Sequence, residues 1–186
     1  MKIQRAICGK KICFRQLTGQ DLTSEYLSWL NDPVASKYSR RRYRKTSKKD
    51  MVDYFENFDW KTGAIFAIID KESGQHIGNI AITKIDKIQK TGELAVLIGD
   101  SKSRGKGFGG EAWRLMTQYG FGVLGLRKLI AGTSNPAMEK ILINQGWVKE
   151  GVLREAFFAG NNKYLDEKVF GLLKKEFSNN QKKCEF

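Results

Sequence analysis

The segment Arg104-Gly-Lys-Gly-Phe-Gly-Gly110 is the part of this chain best suited to chemistry. Glycines let a backbone turn tightly and bring its amides close to an anion. Three readings compete. Gly105-x-Gly107-x-x-Gly110 formally fits the dinucleotide fingerprint, but it follows four predicted strands and no acidic residue closes a strand about twenty residues later. A P-loop fails, because no Gly-Lys-Ser/Thr follows. The third reading is Arg104-x-x-Gly107-x-Gly109 between a buried strand and an amphipathic helix. There the amides from Lys106 to Gly110 point at one spot, at a helix N-terminus with its partial positive charge. Lys102, Arg104 and Lys106 add charge nearby, and a pyrophosphate is the natural ligand. The plainer alternative is a Gly-rich turn that only starts a helix.

Other reactive side chains are few. His76 is the only histidine, so no second imidazole supports a metal site, and no metal is expected. It reads as a strand-edge residue with a structural hydrogen bond. Cys8, Cys13 and Cys184 are odd in number and lack a CxxC spacing. No structural disulfide or zinc site is expected, Cys8 and Cys13 read as small packing residues, and a reducing cytoplasm follows as the default.

The elements that must position these groups follow from periodicity. Lys11 to Leu17 reads as a first strand. Thr18 and Asp21 form a cap-like pair before Leu22, Tyr26, Trp29 and Leu30 at helical spacing, and Pro33 bars continuation. Ser47 and Asp50 repeat the cap before the stripe Met51, Tyr54, Phe55 and Phe58. Strands are expected at 64–70, 76–85 and 93–98, the last buried on both faces. A helix over 111–123, a strand at 127–132 and a helix opened by Asn135-Pro136 follow. A hairpin of 148–158 with 163–173 turns around Gly160-Asn161-Asn162. This is an α/β sandwich built mostly from a meander, not the regular alternation of a dinucleotide fold.

The 186 residues suit one domain over 1–177, with a polar, disordered tail at 178–186. No apolar run is long enough to span a membrane, and the N-terminus lacks the apolar core of a secretory signal. The net charge of +13 attracts anions of any kind and does not choose among nucleic acid, lipid and phosphorylated cofactor.

With these residues in view, the sequence resembles the GNAT superfamily of acyl-CoA N-acyltransferases. Arg104 to Ala112 resembles that family's motif for the coenzyme A pyrophosphate, and the preceding strand, the Asn135-Pro136 helix and Gly146-Trp147 fit as well. The resemblance covers about residues 10–173 and implies a mixed, mostly antiparallel sheet of about seven strands flanked by about four helices. It implies acetyl-CoA as cofactor, held by Leu97, Ile98, Arg104, Gly105, Lys106, Gly107, Phe108, Gly109, Gly110 and Asn135. The strand at 94–98 would splay from its neighbour to bond the pantetheine arm, and an amide near Ile98 would polarise the thioester. Asn135 is equally a plain helix cap. The reaction implied is direct attack of an amine on a thioester. Glu93, where related enzymes carry a Glu, is the candidate base, against the alternative of a solvated strand-end carboxylate. The family's usual tyrosine proton donor is replaced by Leu142.

The acceptor is less determined. Tyr26 to Pro33 with His76-Ile-Gly-Asn-Ile80 resembles a branch that acetylates nucleotide-linked amino sugars and shades into ribosomal-protein N-terminal acetyltransferases. A small-molecule amine, an amino sugar that is nucleotide-linked in its fullest form, is the expected partner; a protein N-terminus is the alternative. Trp29, Asn31, Asp32, Arg41, Arg42 and Asn79 are the candidate acceptor residues. Eight Lys or Arg residues and no acid lie between Lys37 and Lys49, either a polyanion-binding surface or a solvated loop. A reading of another class, a nucleic-acid-binding module stacking bases on Tyr38 and Tyr43, stays open, as do monomer and homodimer.

Overall fold

In the computed structural model, residues 7–177 are described. The expected tail at 178–186, with Cys184, lies outside them. Eight strands form one sheet: β1 (Ile7–Cys8), β2 (Ile12–Gln16), β3 (Ala64–Asp70), β4 (His76–Asp86), β5 (Thr91–Ile98), β6 (Lys128–Thr133), β7 (Val148–Gly160) and β8 (Lys163–Leu173). Their spatial order is β1-β2-β3-β4-β5-β6-β8-β7. Four α-helices accompany them: α1 (Ser24–Asn31), α2 (Lys48–Glu56), α3 (Phe108–Gly122) and α4 (Pro136–Asn144), with a helical turn at 174–177.

The eighth strand arises where one was expected. The chain turns at Gly9–Lys11, so β1 and β2 form a small hairpin and Cys8 stands opposite Cys13. These two cysteines are joined by a disulfide. That corrects the expectation of no structural disulfide, and removes the thiol argument for a reducing compartment. The described residues contain no helix long and apolar enough to cross a membrane.

The cap at Thr18 and Asp21 closes a one-turn 3-10 helix over Gly19–Asp21, and α1 begins a turn later under its own cap, Thr23. The carboxylate of Asp21 is shared with both nitrogens of the Arg15 fork at 2.7 Å, which anchors this turn to β2. Ser47 and Asp50 cap α2 reciprocally. Asn161 and Asn162 take the β7–β8 turn with φ of 50° and 54°, the left-handed pair a two-residue hairpin needs.

The sheet is apolar on both faces. Ile12, Phe14, Phe66, Ile68, Ile80, Ile82, Leu129, Phe170 and Leu172 face α3 and α4, joined by Met116, Trp113 and Leu142. Leu17, Ile65 and Ala67 face α1 and α2, with Tyr26, Trp29 and Met51. Alternation along β5 puts Leu94, Val96 and Ile98 on the first side, and Glu93, Ala95 and Leu97 on the second.

All neighbouring strands run antiparallel except β5 and β6. That parallel ladder has three pairs, Thr91–Lys128, Gly92–Leu129 and Glu93–Ile130, and then stops. β5 stays bonded to β4 as far as Gly78–Ile98, while β6 stays bonded to β8 as far as Thr133–Lys168. The two strands therefore diverge from Glu93 onward and leave a wedge open toward the start of α3.

Candidate active site

The wedge is built from backbone. Beyond Glu93 the edge of β5 that faces β6 has no ladder partner, so the peptide groups there are available to an extended ligand. At the open end of the wedge the chain passes through Arg104–Gly110 into α3. Gly105 and Gly107 take φ of 76° and 88°, a region that side chains rarely adopt, and this turns the following amides outward. Gly107 is the N-cap of α3, and Glu111 makes the first intrahelical bond back to its carbonyl. The amides of Phe108, Gly109 and Gly110 are thus left without helical partners. A Cβ on Gly107 would meet no protein atom nearer than Lys11 Nζ at 4.0 Å, so the space above the loop is open. Outward amides, an open cradle and a helix N-terminus fit a pyrophosphate. Phe108 contributes its amide only, because its ring is in the core.

Arg104 turns inward. Its Nε donates to Ile98 O at 3.1 Å, and one terminal nitrogen donates to Gly99 O and to Asp32 Oδ2 at 2.5 Å each. The pair is about three-quarters buried on each side. Burial pushes the Asp32 carboxyl up, but the Val34 amide and the Arg104 guanidinium outweigh it, so the carboxyl lies below the ordinary range. Arg104 thus fixes the end of β5 and the end of α1, instead of reaching over the loop.

Asn135 caps α4, its Oδ1 accepting from Ala137 N at 3.0 Å. It stands directly after β6, on the far bank of the wedge. Leu142 is fully buried in the core and offers no proton. Gln145 Nε2 ties α4 to α3 through Gly110 O at 2.8 Å.

Of the expected acceptor residues, Trp29, Asp32 and Asn79 all meet the end of β5, through Gly99, Arg104 and Leu97, while Asn31, Arg41 and Arg42 have other partners. Trp29 is buried, with Gly99 under its indole and the His76 ring edge-on at 5.0 Å. Asn31 is committed to the chain itself, exchanging hydrogen bonds of 2.9 Å with both backbone groups of Thr46. Asp32 serves Arg104. Asn79 lies buried on β4 beside Leu97, accepting on Oδ1 from His76 Nε2 at 3.0 Å, while its Nδ2 has no protein partner. His76 Nε2 also faces Gly78 O at 2.9 Å, and a carbonyl only accepts, so the proton sits on Nε2.

Glu93 stands at the apex of the wedge on the α1–α2 side, half-exposed and paired with Lys84 Nζ at 3.0 Å. On the same side, Glu167 of β8 is one-fifth exposed and bonded to Arg40 at 2.6 Å. Its carboxylate occupies the space that a side chain at Gly132 would need. Sequence reasoning did not single out Glu167, because only the β6–β8 register brings it to this face.

The basic segment folds across from α1 to the β7–β8 hairpin. Tyr38 packs near Phe157, and Tyr43 packs on Phe158 at 4.9 Å while its ring stays half-exposed. Arg41 lies over Tyr54 and Arg42 over Tyr43, so the two guanidiniums point apart. Arg41, Arg44 and Lys45 instead line a hollow of about 350 Å³ beside α2.

A model of the family described as an acetyltransferase (GNAT) domain matches residues 11–148. The chain is 26% identical over 168 residues to the uncharacterized N-acetyltransferase YoaA of Bacillus subtilis, covering 88% of this chain and 94% of that one. It is 29% identical over 168 residues to the uncharacterized N-acetyltransferase p20 of Bacillus licheniformis, covering 88% and 92%. Among solved structures, the spermidine N-acetyltransferase of Vibrio cholerae in complex with CoA and spermine superposes with a TM-score of 0.81 at 24% identity, over 91% of this chain and 99% of that one. A chain with this sheet and this match over most of its length belongs to the GNAT family of acetyltransferases, enzymes that take the acetyl group from acetyl-CoA and pass it to an amine.

Proposed function

We propose that the acceptor is a primary amine on a small molecule that also carries phosphate, a nucleotide-linked amino sugar being the fullest form. The observation that carries this is charge. Six of the eight cations between Lys37 and Lys49 form no ion pair among the described residues, the exceptions being Arg40 and Lys49. Arg41, Arg44 and Lys45 share one hollow with Asp50 and Asp53, so three cations face two carboxylates and the balance there is positive, which favours phosphate oxygens.

In this reading the loop from Gly105 to Gly110 binds the donor's pyrophosphate. The open edge of β5 from Leu94 to Ile98 holds the extended arm. Bound acetyl-CoA supplies an activated acyl group on a tolerable thiolate leaving group. A backbone amide near Ile98 donates to the thioester oxygen as its charge develops. Glu93, exchanging Lys84 for the substrate, takes a proton from the substrate ammonium, and the amine so freed attacks the thioester carbon. With Leu142 where a donor hydroxyl is usual, solvent protonates the departing thiolate.

A polyamine is the second reading. It is favoured by the likeness to the spermidine N-acetyltransferase, and by Glu167, whose carboxylate already holds a cation on this face. Initial rates of thiol release decide between the two. Nucleotide-linked amino sugars should outperform spermidine, with a KM that rises with salt. Turnover of spermidine alone would overturn the phosphate-bearing acceptor.

A further inference from the structure

We infer that the Cys8–Cys13 hairpin is a redox-sensitive latch on the cofactor loop, with Lys11 as a phosphate-binding side chain that the disulfide holds in place. The inference rests on Arg104–Gly110 being the pyrophosphate cradle.

The tip of the β1–β2 hairpin is docked against that loop. Lys11 Nζ donates to Lys106 O at 3.0 Å, and the Lys11 amide donates to Glu111 Oε1 at 2.9 Å. Glu111 belongs to the first turn of α3. Its carboxylate lies where a side chain at position 9 would stand, so Gly9 is what lets the hairpin approach. Lys71 closes the other side, its Nζ on Gly9 O at 3.1 Å and its amide on Lys11 O at 2.9 Å. The ammonium of Lys11 therefore sits beside the left-handed Gly107 on the open side of the cradle, within reach of a phosphate oxygen.

These contacts hold the tip, while the ladder behind it is short among the described residues. Among the described residues β1 contributes Ile7 and Cys8, at the edge of the sheet, with two register pairs to β2. Short edge strands open easily. The disulfide spans one of those two pairs directly, and Cys8 is exposed, so a thiol can reach it. In reduction by a dithiol, the Cys8 Sγ–Cys13 Sγ bond breaks. Two electrons pass to the pair, each sulfur takes one proton, and the dithiol closes to its own disulfide. The turn at Gly9–Lys11 then frays, and the cradle loses a fixed cation.

Calorimetry with desulfo-coenzyme A, which keeps the phosphates and has no thiol to attack the disulfide, on the full chain oxidised and then reduced with dithiothreitol, tests this. Reduction should raise the Kd about fivefold, the size of one exposed lysine–anion contact, and high salt should shrink the difference. Lys11→Met should raise the Kd of the oxidised protein equally and abolish the redox response. Cys8→Ser with Cys13→Ser should bind like the reduced protein and ignore dithiothreitol. Turnover with S-acetylpantetheine, which lacks the phosphates, should be the same in both redox states. Equal Kd values for oxidised and reduced protein, with the far-ultraviolet spectrum intact, would overturn the latch. A redox effect on S-acetylpantetheine of the same size would overturn the phosphate route. If Gly107→Val also binds coenzyme A normally, the cradle assignment itself fails, which the latch variants alone would not reveal.

Discussion

Arg104 and Asp32 meet at 2.5 Å across seventy-two positions of sequence, and their ion pair joins the end of the strand that opens the wedge to the end of the first helix. Removing one partner leaves a largely buried charge alone. Asp32→Ala is expected to lower stability by about 1–3 kcal/mol. It should also weaken acetyl-CoA binding, because Ile98 and Gly99 lose their tether. The Asp32 carboxyl lies below its ordinary range, so its contribution is complete above about pH 4 and is lost as pH falls through the folded-state value. Urea melts of both proteins between pH 3 and 6 read both effects. Superimposable melts would reduce the pair to a surface contact.

Gly107→Val tests the cradle. A Cβ there meets no protein atom within 3.9 Å, so the clash would be with the ligand, on top of the strain of φ at 88°. The variant should fold, melt somewhat lower, and fail to bind acetyl-CoA by calorimetry.

Glu93→Gln tests the base. Turnover should fall on the order of 10²–10⁴-fold while the acetyl-CoA Kd holds. The pH–rate profile should lose its acidic limb. An unaltered profile would leave Glu93 as the partner of Lys84 and nothing more.

Arg41→Ala with Arg44→Ala tests the acceptor site. The acceptor KM should rise roughly tenfold, a loss of about 1.4 kcal/mol, with the acetyl-CoA KM unchanged. A rise in the acetyl-CoA KM instead would move this hollow to the cofactor.

Tyr26 gives an alkaline signature. Burial pushes its phenol up to about 12, so the folded protein keeps the proton where the unfolded chain has lost it. The stability this contributes is complete below the ordinary value of about 10 and is lost as pH rises to about 12, on the order of 2–3 kcal/mol. Tyr26→Phe should flatten that part of the stability curve, measured by denaturant unfolding at each pH.

Much of the fold is legible from periodicity and punctuation. The strand at Ala64–Asp70 has the bounds that its Ile and Phe content suggests, and Ser47 with Asp50 starts α2 as the pattern requires. The Thr18–Asp21 pair misleads, because a capping box closes one turn as readily as it starts a helix, and Thr23 supplies a second cap within reach. The disulfide escapes notice because cysteine counting is blind to pairing. The available signal is local: Cys8 and Cys13 flank Gly9-Lys-Lys11, a turn that sets them face to face. The site is legible where backbone makes it, as at Gly105 and Gly107. It is illegible where long-range register makes it, as with Glu167 over Gly132 and Arg104 on Asp32. Trp29 and Asn31 sit at the sequence positions expected of acceptor contacts, yet packing and the Thr46 backbone take up their side chains.

The three-pair ladder between β5 and β6 also divides the sheet into two blocks, β1–β5 and β6–β8, stitched by three rungs beside the wedge. A pantetheine arm carries amides of its own and can serve as additional rungs along Leu94–Ile98. With the donor bound as proposed, it would act as a suture across the molecule. Amide protons on both banks of the wedge should slow their exchange together when the donor binds, and the melting temperature should climb with its concentration. Each turnover would loosen and retighten that suture as the spent thiol leaves and a fresh thioester arrives.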